Sequence, residues 1–159
     1  MNSRHWLVAA TVAIALLHGC ATTPPETDIA DTISRTPQLS TLSKLVNDTG
    51  LADTLRGPGP YTVFAPTDDA FKAVPAATMA ALGSDKERLK AVLMYHVVPG
   101  KVVAADVRNG PAKTAQGANV ALARSGTFVT VDDAVVTSAD MPATNGVVHV
   151  VDRVLLPPR

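Results

Sequence analysis

An α+β fold in a single domain is what the sequence predicts, on three observations. Apolar residues recur at spacings of three and four through the first half of the chain. Short β-rich runs dominate from Lys101 onward, and strand and helix never settle into a repeating βαβ alternation. The third observation is size, since 159 residues suit one hydrophobic core. The balance of 14 basic and 14 acidic side chains argues against a nucleic-acid binder, which normally carries a basic excess. A single cysteine excludes an internal disulfide, and 47% hydrophobic against 18% charged residues argues against wholesale disorder.

The first residues read as an export signal rather than as fold. Arg4 precedes Leu7–Leu17, a run that is apolar apart from Thr11 and too short for a spanning helix, which needs about 20 residues. Leu17-His18-Gly19-Cys20 resembles the bacterial lipobox, in which the cysteine becomes the acylated first residue. His18 departs from that pattern, and cleavage after Ala21 is the competing expectation; it would discard Cys20 and leave a secreted protein. The division expected is therefore a lipoprotein-type signal at 1–19, a Thr/Pro-rich tether at 20–33 and a folded domain at 34–158. Arg35 is the next basic residue after Arg4, so no polybasic patch assists attachment, and the membrane contact expected is the lipid on Cys20. Ala21 in place of an aspartate after that cysteine points to the outer membrane of the cell envelope, the domain facing periplasm or exterior.

Within the domain, Thr36 is expected to cap a helix with Pro37 at its first position and Leu39, Leu42, Leu45 and Val46 on one face. Gly50 ends it, Leu51–Leu55 adds a short turn of helix, and Gly57-Pro58-Gly59-Pro60 breaks the chain. Tyr61–Ala65 follows as a strand. Thr67 then caps another helix, with Asp68 and Asp69 placing negative charge at its positive end. Ser84-Asp85-Lys86-Glu87 fits a capping box before Leu89, Val92, Leu93 and His96. Pro99-Gly100 turns the chain. The strands expected beyond it are Val102–Val103, Lys113–Ala115, Asn119–Ala123, Thr127–Val131, Ala134–Thr137 and Val147–Leu156. Asn145-Gly146 favours a turn with positive φ that sets the register of the last of these.

Three stretches in order carry a family resemblance: Gly59–Pro75 (GPYTVFAPTDDAFKAVP), Leu89–Gly100 (LKAVLMYHVVPG) and Asn145–Pro158 (NGVVHVVDRVLLPP). Together they resemble the fasciclin-like domain family over roughly residues 34–158. The resemblance implies N-terminal helices packed on a β-rich C-terminal wedge, and contact with proteins or glycans at a cell surface or matrix. In animal members the Tyr-His segment is implicated in cell-receptor binding, and Tyr95-His96 is its counterpart here. Tyr95 is a binding anchor if exposed and a structural residue if buried; the flanking Val92-Leu93 and Val97-Val98 lean towards burial.

Chemistry finds little to work with. Export of residues 1–19 leaves His96 and His149 as the histidines, and His149 lies in an apolar strand that expects cover on both faces, so each reads as a hydrogen-bonded core histidine. No metal site or cofactor is expected, because the carboxylate pairs Asp68-Asp69 and Asp132-Asp133 diverge and lack a calcium-loop pattern. No G-x-S-x-G or S-x-x-K motif nominates a nucleophile, so no catalytic residue is named. The expected function is a lipid-anchored, monomeric adhesion or interaction module whose partner is an unidentified surface protein or glycan. The alternative is an envelope carrier or receptor for a small apolar ligand, and a hydrolase stands behind both.

Overall fold

The computed structural model describes residues 27–158; the signal segment and the first half of the expected tether, Cys20 included, lie outside them. Helices α1 (Ile29–Arg35), α2 (Ser40–Asp48) and α3 (Leu51–Leu55) lead into strand β1 (Tyr61–Pro66). Three more helices follow, α4 (Asp68–Ala73), α5 (Ala76–Ser84) and α6 (Lys86–Tyr95). The remaining strands are β2 (Val97–Pro99), β3 (Gly110–Lys113), β4 (Asn119–Ser125), β5 (Phe128–Val131), β6 (Ala134–Ala143) and β7 (Gly146–Val151). The class is α+β, as the order of helical and β-rich runs predicts. No helix among the described residues is long and apolar enough to cross a membrane.

The strands form one seven-stranded sheet in the order β2-β1-β7-β6-β5-β4-β3. Its centre is the parallel pair β1 and β7, with Tyr61 opposite Gly146 and Pro66 opposite Val151. Every other pairing is antiparallel. The two edges come back towards each other, because Ala115 N donates to Val97 O at 2.7 Å. The first and third sequence motifs thus become neighbouring strands.

Two apolar clusters lie on either side of that central pair. Val63, Ala65, Val148 and Val150 point towards the helices, where Ile29, Ile33, Leu42, Val46 and Leu93 meet them. Phe64 and Val151 point the other way, towards Val120, Leu122, Val129 and Val131 of the curled strands. Cover on both faces explains why β7 reads as an unbroken apolar run: all six of its residues are buried.

Several expectations need correction. Helix α1 buries Ile29, Ala30 and Ile33, so residues 29–33 belong to the domain and not to a tether; packing, rather than a long apolar period, holds this short helix. Thr36 caps nothing, since its hydroxyl donates to Thr32 O at 2.7 Å and Pro37–Leu39 form a 3-10 turn ahead of α2. Asp85, not Ser84, caps α6 by accepting from Arg88 N at 3.1 Å. Val102–Val103 is not a strand; the extended residues are Val97–Pro99, directly after α6. The strand expected at Lys113–Ala115 lies earlier, at Gly110–Lys113. Strand β6 runs on past Thr137 to Ala143 through bulged register, while β7 stops at Val151. Asp152 ends that ladder, its carboxylate accepting from Val135 N at 2.7 Å.

Candidate functional site: the Tyr-His segment and the ends of strand β7

Tyr95 closes α6 and His96 is its C-terminal cap residue, and both are buried, at 3% and 2% exposure. The Tyr95 hydroxyl reaches Asp132 Oδ2 at 2.9 Å and Asn119 O at 3.0 Å. One phenolic proton faces two acceptors, so it is shared between them. Burial, with the Asp132 carboxylate adding to it, pushes the phenol up to about 12. The segment named as a possible binding site therefore offers no side chain to a partner. It joins the end of α6 to the β5–β6 turn, where Asp132 holds a φ of 51°.

His96 makes a second tie. Its Nε2 lies 2.9 Å from Leu155 N, and its Nδ1 lies 2.8 Å from Val92 O. A backbone N–H can only donate, so Nε2 is the acceptor and the ring proton sits on Nδ1. Burial drives its pKa down to about 4, against a backbone hydrogen bond that works the other way.

His149 has the opposite tautomer. Asp140 N donates to its Nδ1 at 3.1 Å, which places the proton on Nε2, 2.7 Å from Val102 O. The Asp140 carboxylate is free to serve elsewhere and accepts from Ala104 N at 2.7 Å. The two histidines flank one residue: Phe64 stacks on the His149 ring at 5.6 Å, and Phe64 N donates to His96 O. All four imidazole nitrogens are thus committed to backbone groups, which leaves none to act as base or metal ligand. Among the described residues no cluster of three or more histidine, cysteine or carboxylate side chains could hold a metal.

At the other end of β7, Asn145 does what its turn chemistry does not suggest. The hairpin residues are Thr144 and Asn145, and Gly146 already pairs in the ladder. Among the described residues only Asp132 and Asp140 are non-glycines with positive φ, so Asn145 is not the left-handed turn residue expected. Its amide instead joins three separate segments. Nδ2 donates to Leu55 O at 2.6 Å and Gly57 O at 2.9 Å, Oδ1 accepts from Ile29 N at 3.0 Å, and its own carbonyl accepts from Tyr61 N at 3.0 Å. Gly146 is required by contact: a Cβ there would lie 1.9 Å from Tyr61 O.

Thr67 and Asp68 serve two different helices. Thr67 Oγ1 accepts from Ala70 N at 3.1 Å and caps α4. Asp68 reaches across to α2, accepting from Ser40 Oγ and Thr41 N, each at 2.7 Å. Those bonds, the Ser40 hydroxyl first, hold its carboxyl below the ordinary range. The Asn145 junction, the Asp132–Tyr95 bond and this cross-helix cap escape sequence reasoning, because each joins positions far apart in the chain. An Asn beside a glycine at a strand boundary was the one visible signal.

Comparison with known proteins bears on the family and the fold. The family model described as Fasciclin domain matches residues 37–157. Protein sll1483 of Synechocystis sp. is 41% identical over 140 residues, covering 87% of this chain and 78% of its own. Cell surface glycolipoprotein MPB83 of Mycobacterium bovis is 38% identical over 82% of this chain, which spans 60% of that protein. Transforming growth factor-beta-induced protein ig-h3 of Sus scrofa is 36% identical over 86% of this chain, which covers 20% of it. In three dimensions the chain resembles a FAS1 domain pair from the insect cell adhesion molecule Fasciclin I, with a TM-score of 0.67 at 18% identity. That match covers 84% of this chain and 52% of the other, and shows the shared fold. With a family match over residues 37–157, the chain belongs to the fasciclin domain family.

Proposed function

We propose that this chain is an extracytoplasmic interaction module of the bacterial cell envelope, anchored through a lipid on Cys20, that binds a surface or matrix protein or glycan. The observation that carries this reading is the family match over residues 37–157, with relatives named as a cell surface glycolipoprotein and, by fold, a cell adhesion molecule. The function is binding and not catalysis: family members are surface and adhesion proteins, and here both histidines and Tyr95 are spent on internal bonds. The surface that meets the partner is therefore not the Tyr-His segment itself.

An anchor at Cys20 also orients the module. From Cys20 to Thr27 the chain spans at most about 25 Å when fully extended. Thr27 O accepts from Thr144 N, so the bilayer lies near the Asn145 end of β7. The opposite end, beyond Val151, faces outward. Cys20→Ser tests the anchor: the protein is expected to move from the membrane fraction to the soluble one, and continued sedimentation with membranes overturns it. Cross-linking on intact cells tests the module. A reproducible surface partner is expected for the anchored chain, and none with the native protein overturns the reading.

A further inference from the structure

Beyond Val151 the chain leaves the sheet, and Val154–Pro158 belongs to no helix or strand. Leu155 turns inward, 3% exposed, and its N–H is held by His96. Leu156 turns outward and is 47% exposed. On one side of it lies a groove of about 220 Å³, walled by Leu82, Ala91, Pro157 and Arg88. On the other lies one of about 390 Å³, walled by Ala73, Val74, Pro75 and Arg153.

Two further features indicate what fits. Among the described residues, Leu155 N is the only backbone group of Val154–Pro158 in a hydrogen bond. Pro157 and Pro158 have no N–H, so the Val154 and Leu156 N–H groups and the segment's carbonyls are the backbone groups a chain laid alongside it would meet. Arg88 and Arg153, one on each groove, are exposed and in no ion pair among the described residues. A third depression, lined by Asp132, Asp133 and Arg153, begins past the second groove and bounds the positive stretch there.

We propose that Val154–Pro158 and the two grooves beside Leu156 form a docking surface for an extended peptide segment of a partner protein, one with alternating apolar and acidic residues. Apolar side chains enter the grooves around Leu156, and carboxylates meet Arg88 and Arg153. The segment lies at the end of β7 away from Thr27, so an anchored chain presents it outward. This assignment rests on the interaction-module reading and names its surface.

The test is titration of the exported, isotope-labelled chain with a short peptide of alternating aspartate and leucine, followed by amide NMR. Saturable shifts at Arg88, Ala91, Val154 and Leu156 are expected. Arg88→Glu with Arg153→Glu weakens binding at least about tenfold and turns the preference towards a lysine–leucine peptide. Leu156→Ser weakens binding of the aspartate–leucine peptide without lowering the melting temperature, because its side chain is half exposed. Absence of saturable shifts, shifts confined to another face, or equal binding of the lysine–leucine peptide each overturns the proposal. Cell-surface cross-linking with Leu156→Ser separates the two readings. A partner retained by that variant overturns the groove and leaves the module intact, whereas no partner for the native chain overturns the module while the titration still decides the groove.

Discussion

Strand β7 is fastened at both ends, and the two fastenings use different chemistry for the same task. At its start, the amide of Asn145 holds Leu55 O, Gly57 O and Ile29 N, groups of loops and helix ends that lack ladder partners. Past its end, the imidazole of His96 holds Leu155 N and Val92 O. Each satisfies backbone groups at helix ends and in loops that no strand ladder reaches. An amide does so at any pH. An imidazole does so only while neutral, so the Leu155 end is sensitive to acid and the Asn145 end is not.

Gly146→Ala attacks the first end most directly. Its Cβ would need the space of the Tyr61 carbonyl, a rigid backbone atom in the partner strand, so β1 and β7 have to part where their register begins. The expected loss is about 4 kcal/mol, at the upper end for overpacking, because no side chain can move aside. Chemical denaturation measures it; a stability unchanged from the native chain would mean that the two strands separate freely there.

Asn145→Ala is expected to cost about 3 kcal/mol, since it leaves two carbonyls and one N–H without partners in a half-buried junction. The loss should be the same at pH 5 as at pH 7. A pH-dependent loss would show that a titrating group, and not the amide, carries the junction.

The second end responds to acid. His96 has a pKa of about 4 in the folded chain against an ordinary 6.5. Between those values the unfolded chain takes up a proton that the folded chain refuses, so stability falls as the pH falls. The contribution is complete above pH 6.5 and is lost on the way down to about 4, amounting to roughly 3 kcal/mol. Protonation would also put an N–H on Nε2 against Leu155 N–H. The measurement is the His96 ring proton shift by NMR between pH 7 and pH 4; a midpoint at the ordinary histidine value would end this account of the His96 latch.

How far the sequence shows these two ends follows from what local patterns contain. Strands β1 and β7 are legible because cover on both faces makes each a run of β-branched and apolar residues. Helix α6 is legible from Leu89, Val92 and Leu93. Helix α1 is not, because Ile29 and Ile33 stand in a Thr/Pro-rich setting and their burial depends on contacts with the far end of the chain. The tail Val154-Leu155-Leu156 reads as more strand, since apolar character does not reveal that Asp152 has already turned its carboxylate onto Val135 N. For the candidate site, the identities of Tyr95, His96, Asn145 and His149 stand out in the sequence. Their bonding does not, because every partner is a backbone group or an aspartate remote in sequence.

Tyr95→Phe is the mildest way to sharpen the comparison, because it leaves the His96 latch in place and removes only the neighbouring hydroxyl. The ring stays buried in the wedge, and the lost hydrogen bonds to Asp132 and Asn119 O cost about 1 kcal/mol near neutral pH. The larger signature lies in alkali. The folded phenol has a pKa of about 12 against an ordinary 10.0, so its stabilisation is complete below pH 10 and drains away as the pH rises towards 12. Phenylalanine has no proton to lose, so the variant should be insensitive to that window where the native chain weakens. If both chains lose stability in parallel above pH 10, the Tyr95–Asp132 bond does not join α6 to the β5–β6 turn, and His96 alone secures that end of the molecule.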